Sequence, residues 1–479
     1  LKLGGISLIA NSYSALAGAN ALAFSLRELP EEAYERARQA IIDTIGVTIA
    51  GSVHEGCRIL CDTVLQPSGN GEIVVIGSGR RAGIFDAALI NGTASHMLDY
   101  DDSNSSMFGH LSVAILPALL ALAERKKSSG AQVLHAFICG YEAGNRFGRT
   151  ISKFQYTHGW HPTTTVGIFA SVIANAILLG QNEQQIAMAI GIAAHHASGL
   201  KSNFGSMTKP LGVGNASRNA VTASLLAGNG FTSGQRSLEH HHGVFSVFNN
   251  GIENCDPQPL IEPWVGDLGI LNRLKGIKQK RYPCCYATAP PLDGLLKLRQ
   301  EHGLEAEQIE EIVIGVHAIR FPHINVPEPE NALAAKFSMT YCAARAILAG
   351  EVVMSDFDQG AAFSDAKTHE FMKKVRLVIY NRDNFSGAEV SVKLKGGREV
   401  NCYVEAALGS TYDNPMTSDM IREKFLTCVA PVLGEVESQA LHRDLSAIET
   451  CRDIGSIMRR MMGTGGMFVP VISEQLRHG

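Results

Sequence analysis

The chain has 479 residues, 45% of them hydrophobic and 18% charged, with a formal net charge of −4. That length exceeds one ordinary core and predicts two domains. The weakly acidic balance lacks the electrostatic footprint of a nucleic-acid binder, and no uninterrupted apolar run reaches the ~18 residues of a membrane-spanning helix.

The first segment, Leu1 to Leu26, is small and apolar, with Lys2 its only charge. Asn11, Ser12, Tyr13 and Ser14 interrupt it, so it predicts a helix packed on the core rather than a signal peptide. Pro30-Glu31-Glu32 predicts a helix start, with proline in the first turn and acids beside it. Ala37, Ile41, Ile45 and Ile49 then recur every four residues. Glu72–Ile76 is a short extended stretch closed by Gly77-Ser78-Gly79. Apolar, Gly- and Ala-rich segments follow at Phe85–Leu98, Val113–Ala123, Val133–Tyr141, Val166–Leu179, Ile186–Ala197 and Ala216–Ala227. Each helical glycine costs ~1 kcal/mol relative to alanine, but it lets helix axes approach. Buried helices surrounded by helices explain the pattern.

The texture changes after about residue 270. Ile309–Val316, Val375–Tyr380 and Glu389–Leu394 read as strands. Lys395-Gly396-Gly397-Arg398 makes a hairpin turn into Glu399–Glu405. Pro291–Glu301 and Ala332–Leu348 read as helices between them. The tail from Ser418 is helical again and ends in Met- and Gly-rich segments. The fold class is therefore mainly α: a large all-helical domain, discontinuous in sequence (1–272 and 408–479), with a smaller inserted α+β domain (273–407). The ten cysteines are scattered without a CxxC pair. This fits a reduced compartment, and a cytoplasmic protein is expected.

Candidate chemistry starts where the Phe85–Leu98 run ends. Asp99, Asp101, Asp102 and two histidines, His96 and His110, crowd fifteen residues. Burying carboxylates without partners costs several kcal/mol each, so acids at the mouth of a core imply a use. Asp99 and Ser103 are four apart and share a face on a helical turn. Asp99 is suited to hold a partner, accept a proton or fix a cation. Asp101 and Asp102 are expected to be structural or capping. His161 precedes Pro162 at a predicted helix start, where the helix end keeps an imidazole neutral and attracts carboxylates. That suits a general base, or a donor to an anion. Lys209-Pro210-Leu211-Gly212-Val213-Gly214-Asn215 reads as a loop before a helix. Its N–H groups, Lys209 and Arg218 one turn in make a carboxylate receptor; neither a Walker nor a dinucleotide pattern is present. Cys285 and Tyr286, entering the helix at 291, are expected to line a pocket rather than supply a nucleophile. His240-His241-His242 and His195-His196 invite a metal reading, but neighbouring helical residues point ~100° apart and no HExxH or CxxC frame exists. No metal is expected.

Four motifs in order carry a resemblance: HMLDYDDS with GH (96–110), GWHPTTTVG (159–167), NFGSMTKPLGVGNASRN (203–219) and YPCCYATAPPLDG (282–294). Together they resemble the MmgE/PrpD family, which includes 2-methylcitrate dehydratase, cis-aconitate decarboxylase and iminodisuccinate epimerase. The resemblance implies a helical domain plus a smaller α+β domain, a homodimer, and an active site in the cleft between domains. It implies proton removal beside a carboxylate of a small di- or tricarboxylate, without a cofactor. Similarity to the decarboxylase puts Asp99, Ser103, His110, His161 and Lys209 at active-site positions, with Ser103 replacing a threonine. Cys285 stands where the decarboxylase has histidine, and Phe321 where it has tyrosine. Both departures weigh against cis-aconitate decarboxylation. The motifs look closer to the epimerase, while dehydration fits the family's best-known role. Against any of these stands a non-catalytic helical scaffold that kept the fold.

Overall fold

The computed structural model describes residues 12–463, without 66–70, 267, 273–275, 359, 361–362 and 411–413 and without the side chains of residues 152 and 153. The Leu1 end of the first predicted helix and the Gly-rich tail lie outside the described residues. Helices dominate, as the sequence predicted. Buried apolar side chains gather into two cores. One draws on Ala17 to Ile270 and again on Met416 to Met461; the other lies between Tyr282 and Ala407.

The first core is made of helices buried on most sides. Tyr13–Ser25 packs there, capped by Ser12. In Glu31–Ser52 the proline sits one place earlier than predicted, at the N-cap, with Glu31 and Glu32 in the first turn. Ser129 with Gln132 and Asn182 with Gln185 form capping boxes that start Gly130–Thr157 and Glu183–His196. Among the described residues one stretch, Pro162–Leu179, is long and apolar enough to cross a membrane, with mean hydropathy 1.6; 89% of it is buried inside the fold. The break at Val166 divides it into two helices, so no single continuous helix spans it. The extended stretch at Glu72–Ile76 becomes one arm of a hairpin, Ile73–Val75 paired antiparallel with Arg80–Ala82.

The second core holds a four-stranded sheet ordered Val375–Ile379, Ile309–Val316, Ala388–Leu394, Glu399–Val404. The first pair is parallel and the other two antiparallel. Val390, Val392 and Leu394 are buried and Tyr403 is exposed, as alternation requires. Ala289–His302 packs on this sheet. The helix predicted over 332–348 is two helices, Ala332–Ala335 and Met339–Ala349. Ser338 interrupts it, because its hydroxyl accepts the Tyr341 N–H and caps the second.

One helix pair positions the site. Ile84–His96 and Thr208–Gly228 cross with their backbones nearly touching. A Cβ on Gly92 would fall 2.9 Å from Gly214 Cα, and one on Gly214 would fall 2.2 Å from Leu89 O. Only glycine fits at either place, so the close approach inferred from the helix texture is realised here. Asp99 follows the end of one helix, and Lys209 opens the other.

Candidate active site

The Ile84–His96 helix ends at His96, and the chain reverses through Asp99, whose φ is +51°. Aspartate tolerates this left-handed geometry better than most residues. Ser103–Asn104 then pairs antiparallel with Ile277–Lys278. Asp99 and Ser103 thus do not share a helical turn as predicted; a tight turn and a short ladder bring both to the same cleft.

Asp99 is buried and holds two ammonium groups. Lys209 Nζ lies 2.8 Å and Lys280 Nζ 3.2 Å from its Oδ1, and Lys280 also donates to the Asp99 carbonyl at 2.5 Å. Burial pushes the carboxyl upward, but Lys209 and Lys280 outweigh it and hold it well below the usual carboxylate range. Burial likewise pulls on Lys280, and Asp99 holds its ammonium above the ordinary value. Asp101, expected to be structural, is a hub between two imidazoles. His96 Nδ1 is 3.0 Å and His110 Nδ1 2.8 Å from its oxygens. Burial opposes its ionisation, yet those histidines keep it well below the carboxylate range. Asp102 behaves in the opposite way. Fully buried, it accepts from Ser112 Oγ and caps nothing; burial pushes its carboxyl up to about 8, so it is mostly neutral at pH 7.

His161 is the N-cap of Pro162–Thr165 with proline at the first helical position, as predicted. Its backbone N–H donates to Gly199 O at 3.0 Å, and its ring stands edge-on to Phe204. Among the described residues its ring nitrogens have no hydrogen-bond partner. Burial first, then His96 and Lys209, holds it well below the usual imidazole value. The imidazole is neutral, as the sequence led us to expect, but through desolvation and neighbouring positive groups rather than the helix end. Burial likewise lowers His96 to about 4.

The Lys209–Asn215 stretch is not a loop. It forms the first two turns of Thr208–Gly228, with Lys209 in the first turn and Asn215 inside the helix rather than capping it. Arg218 is consequently misassigned as a substrate contact. Nine residues beyond Lys209 is ~13.5 Å along the axis and half a turn around it. Its charge is felt by His196, away from the cleft. The remaining predicted residues, Asp99, Ser103, His110, His161, Lys209, Cys285 and Tyr286, line one cleft of about 140 Å³ between the two cores. That is well below the ~300–1,000 Å³ typical of drug-sized ligands and suits a small molecule. Burial and the Asp99 charge push the Cys285 thiol up, which disfavours a thiolate nucleophile.

His96, Asp99, Asp101 and His110 offer four ligand atoms within 4.8 Å of one another. They are already engaged: Asp99 by two ammonium groups, Asp101 by two imidazoles. A dication would have to compete with Lys209 and Lys280 for Asp99. The exposed His240-His241-His242 triplet also gathers ligand atoms within 4.8 Å. It lies in a turn ahead of Val244–Asn249, so the helical spacing expected to keep those rings apart does not apply.

Comparison with known proteins agrees with this architecture. The MmgE/PrpD N-terminal domain model matches residues 19–254 and the C-terminal domain model matches residues 282–447. The chain belongs to the MmgE/PrpD family. It is 26% identical to the cis-aconitate decarboxylase of Aspergillus terreus over 456 residues, covering 90% of this chain and 92% of that protein. It is also 26% identical to human cis-aconitate decarboxylase, over 90% of this chain and 91% of that one. A cis-aconitate decarboxylase-like protein of Aspergillus oryzae is 26% identical over 91% of this chain and 94% of its own length.

Proposed function

We propose that the protein is a lyase or isomerase that removes a proton from the carbon beside a carboxylate of a small di- or tricarboxylate, with dehydration of a 2-methylcitrate-type hydroxy acid as the leading reaction. The observation that carries this is His161: a buried, neutral imidazole with unengaged ring nitrogens, facing a cleft that also holds Lys209 and Lys280. His161 takes the carbon-bound proton. The electron pair moves onto the substrate carboxylate, where the Lys209 and Lys280 ammonium groups offset the growing charge. Asp99 fixes both lysines and, being ionised, is not the proton carrier. The enolate pair then expels hydroxide from the adjacent carbon, and a protonated group on the other wall converts it to water. His110, oriented by Asp101, is the candidate for that role. This scheme calls for no cofactor.

The same groups serve two other outcomes. Return of the proton to the opposite face is epimerisation. Loss of carbon dioxide with proton delivery to carbon is decarboxylation, favoured by the names of the relatives. Deuterium uptake in heavy water, followed by NMR over 2-methylcitrate, citrate, cis-aconitate and iminodisuccinate, separates these. Loss of water supports dehydration, exchange without net turnover supports epimerisation, and carbon dioxide release supports decarboxylation. Exchange that persists undiminished in His161→Asn would sink the assignment.

A further inference from the structure

One part of the cleft carries positive charge that no carboxylate balances among the described residues. Lys278 is 2% exposed and lies opposite Ser103 in the short antiparallel ladder. Residues directly opposite in such a pair project to the same face, and Ser103 lines the cleft. Lys278 Nζ is 5.4 Å from the centroid of the Tyr286 ring and 5.9 Å from that of Phe385. The buried Arg320 guanidinium lies over the same two rings, at 5.2 and 5.5 Å, and its Nε donates to the Phe385 carbonyl. Arg320, Tyr286 and Phe385 all line the cleft.

Among the described residues neither cation is paired with a carboxylate. Lys209 and Lys280, by contrast, are already offset by Asp99. Among the described residues the buried Tyr286 hydroxyl has no hydrogen-bond partner of good geometry; the Ser410 hydroxyl beside it donates its own proton to the Ala407 carbonyl. Two buried cations and an orphaned hydroxyl in one place are costly for an empty protein. Burial and the Arg320 charge accordingly bring the Lys278 ammonium down to about 7. An anion arriving here would relieve all three groups at once.

We infer that Lys278, Arg320 and the Tyr286 hydroxyl form a second carboxylate subsite, which anchors the end of the ligand away from His161. This rests on the proton-transfer reading of the cleft and says which residues hold the carboxylate that is not on the reacting carbon. Lys278 and Arg320 bind and position; neither handles the moving proton.

The test is calorimetric titration of the full chain with citrate and with succinate, using wild type, Lys278→Met and Arg320→Met, together with thermal melts without ligand. Each substitution should weaken binding at least tenfold. Lys278→Met should melt at or above the wild-type temperature without ligand, because an unpaired buried charge has been removed. Unchanged affinity in both variants would overturn the subsite, as would a wild type that binds neither acid. A Lys278→Met protein that melts lower and binds as before would mark Lys278 as structural and overturn it too. Failure of the proton-transfer reading shows up separately, as a wild type that binds these acids through Lys278 and Arg320 yet exchanges no carbon-bound proton with any acid of the panel.

Discussion

Asp99→Asn isolates the electrostatic frame of the site. The substitution keeps size and shape but removes the carboxylate that Lys209 and Lys280 share, at 2.8 and 3.2 Å. Removing one partner of a buried ion pair typically costs ~3–5 kcal/mol. For a chain of 479 residues, an unfolding entropy of ~2.1 cal/mol/K per residue gives ~1 kcal/mol/K in all, so Tm should fall by roughly 3–5 °C. The pH dependence follows from the two shifts. The Asp99 carboxyl is depressed on folding, so its contribution is present above its unfolded value near 4 and is lost as pH falls below that. Lys280 is raised, so its contribution holds until pH climbs past its unfolded value near 10.5. The melting difference between wild type and Asp99→Asn should therefore be constant from about pH 5 to 9 and shrink below about pH 4. Scanning calorimetry or circular dichroism across pH measures it. An unchanged Tm at pH 7, or a gap that widens below pH 4, would refute the reasoning.

His161→Asn should lower kcat by ~10²–10⁴ with little change in KM; steady-state kinetics on whichever acid turns over decides. Because His161 is held well below the usual imidazole value, the acid limb of the wild-type kcat profile should lie clearly under 6.5, and a limb at 6.5 would contradict the assignment. Arg218→Ala should leave kcat/KM within about twofold, since Arg218 stands away from the cleft. Asp102 titrates higher folded than unfolded, so it favours the fold below about pH 4, and this advantage is lost as pH rises toward 8. Melts of Asp102→Asn should gain on wild type across that window, by at most ~5 kcal/mol. Gly92→Ala should destabilise by ~1–3 kcal/mol through overpacking against Gly214, read from denaturant unfolding.

Much of this architecture was legible in the sequence. The apolar helices announced themselves by continuous Ala, Ile and Gly patterning, and the strands by alternation such as Val390, Val392 and Leu394. His161 was readable because Pro162 marks a helix start. The misreadings share one cause, local spacing taken as a guide to three-dimensional placement. Pro210, Gly212 and Gly214 look like a loop, yet proline is tolerated in a first turn and glycine is needed where Leu89 crosses. That error carried Arg218 into the site. Asp101 reads as structural or capping from sequence alone because its partners, His96 and His110, are set by a turn at Asp99 that no periodicity signals. Lys278, Lys280 and Arg320 were missed because they come to the cleft from segments far along the chain, Lys278 through its pairing with Ser103, 175 residues earlier. Lys280, two residues ahead of the YPCC motif, was the one local clue.

The most direct test of the central claim is exchange of the carbon-bound proton beside a carboxylate, measured by NMR in heavy water on wild type and His161→Asn. Deuterium should enter at that carbon of at least one di- or tricarboxylate with wild type, and at least a hundredfold more slowly with the variant. Equal rates in the two proteins, or exchange of no carboxylate by wild type, would contradict it.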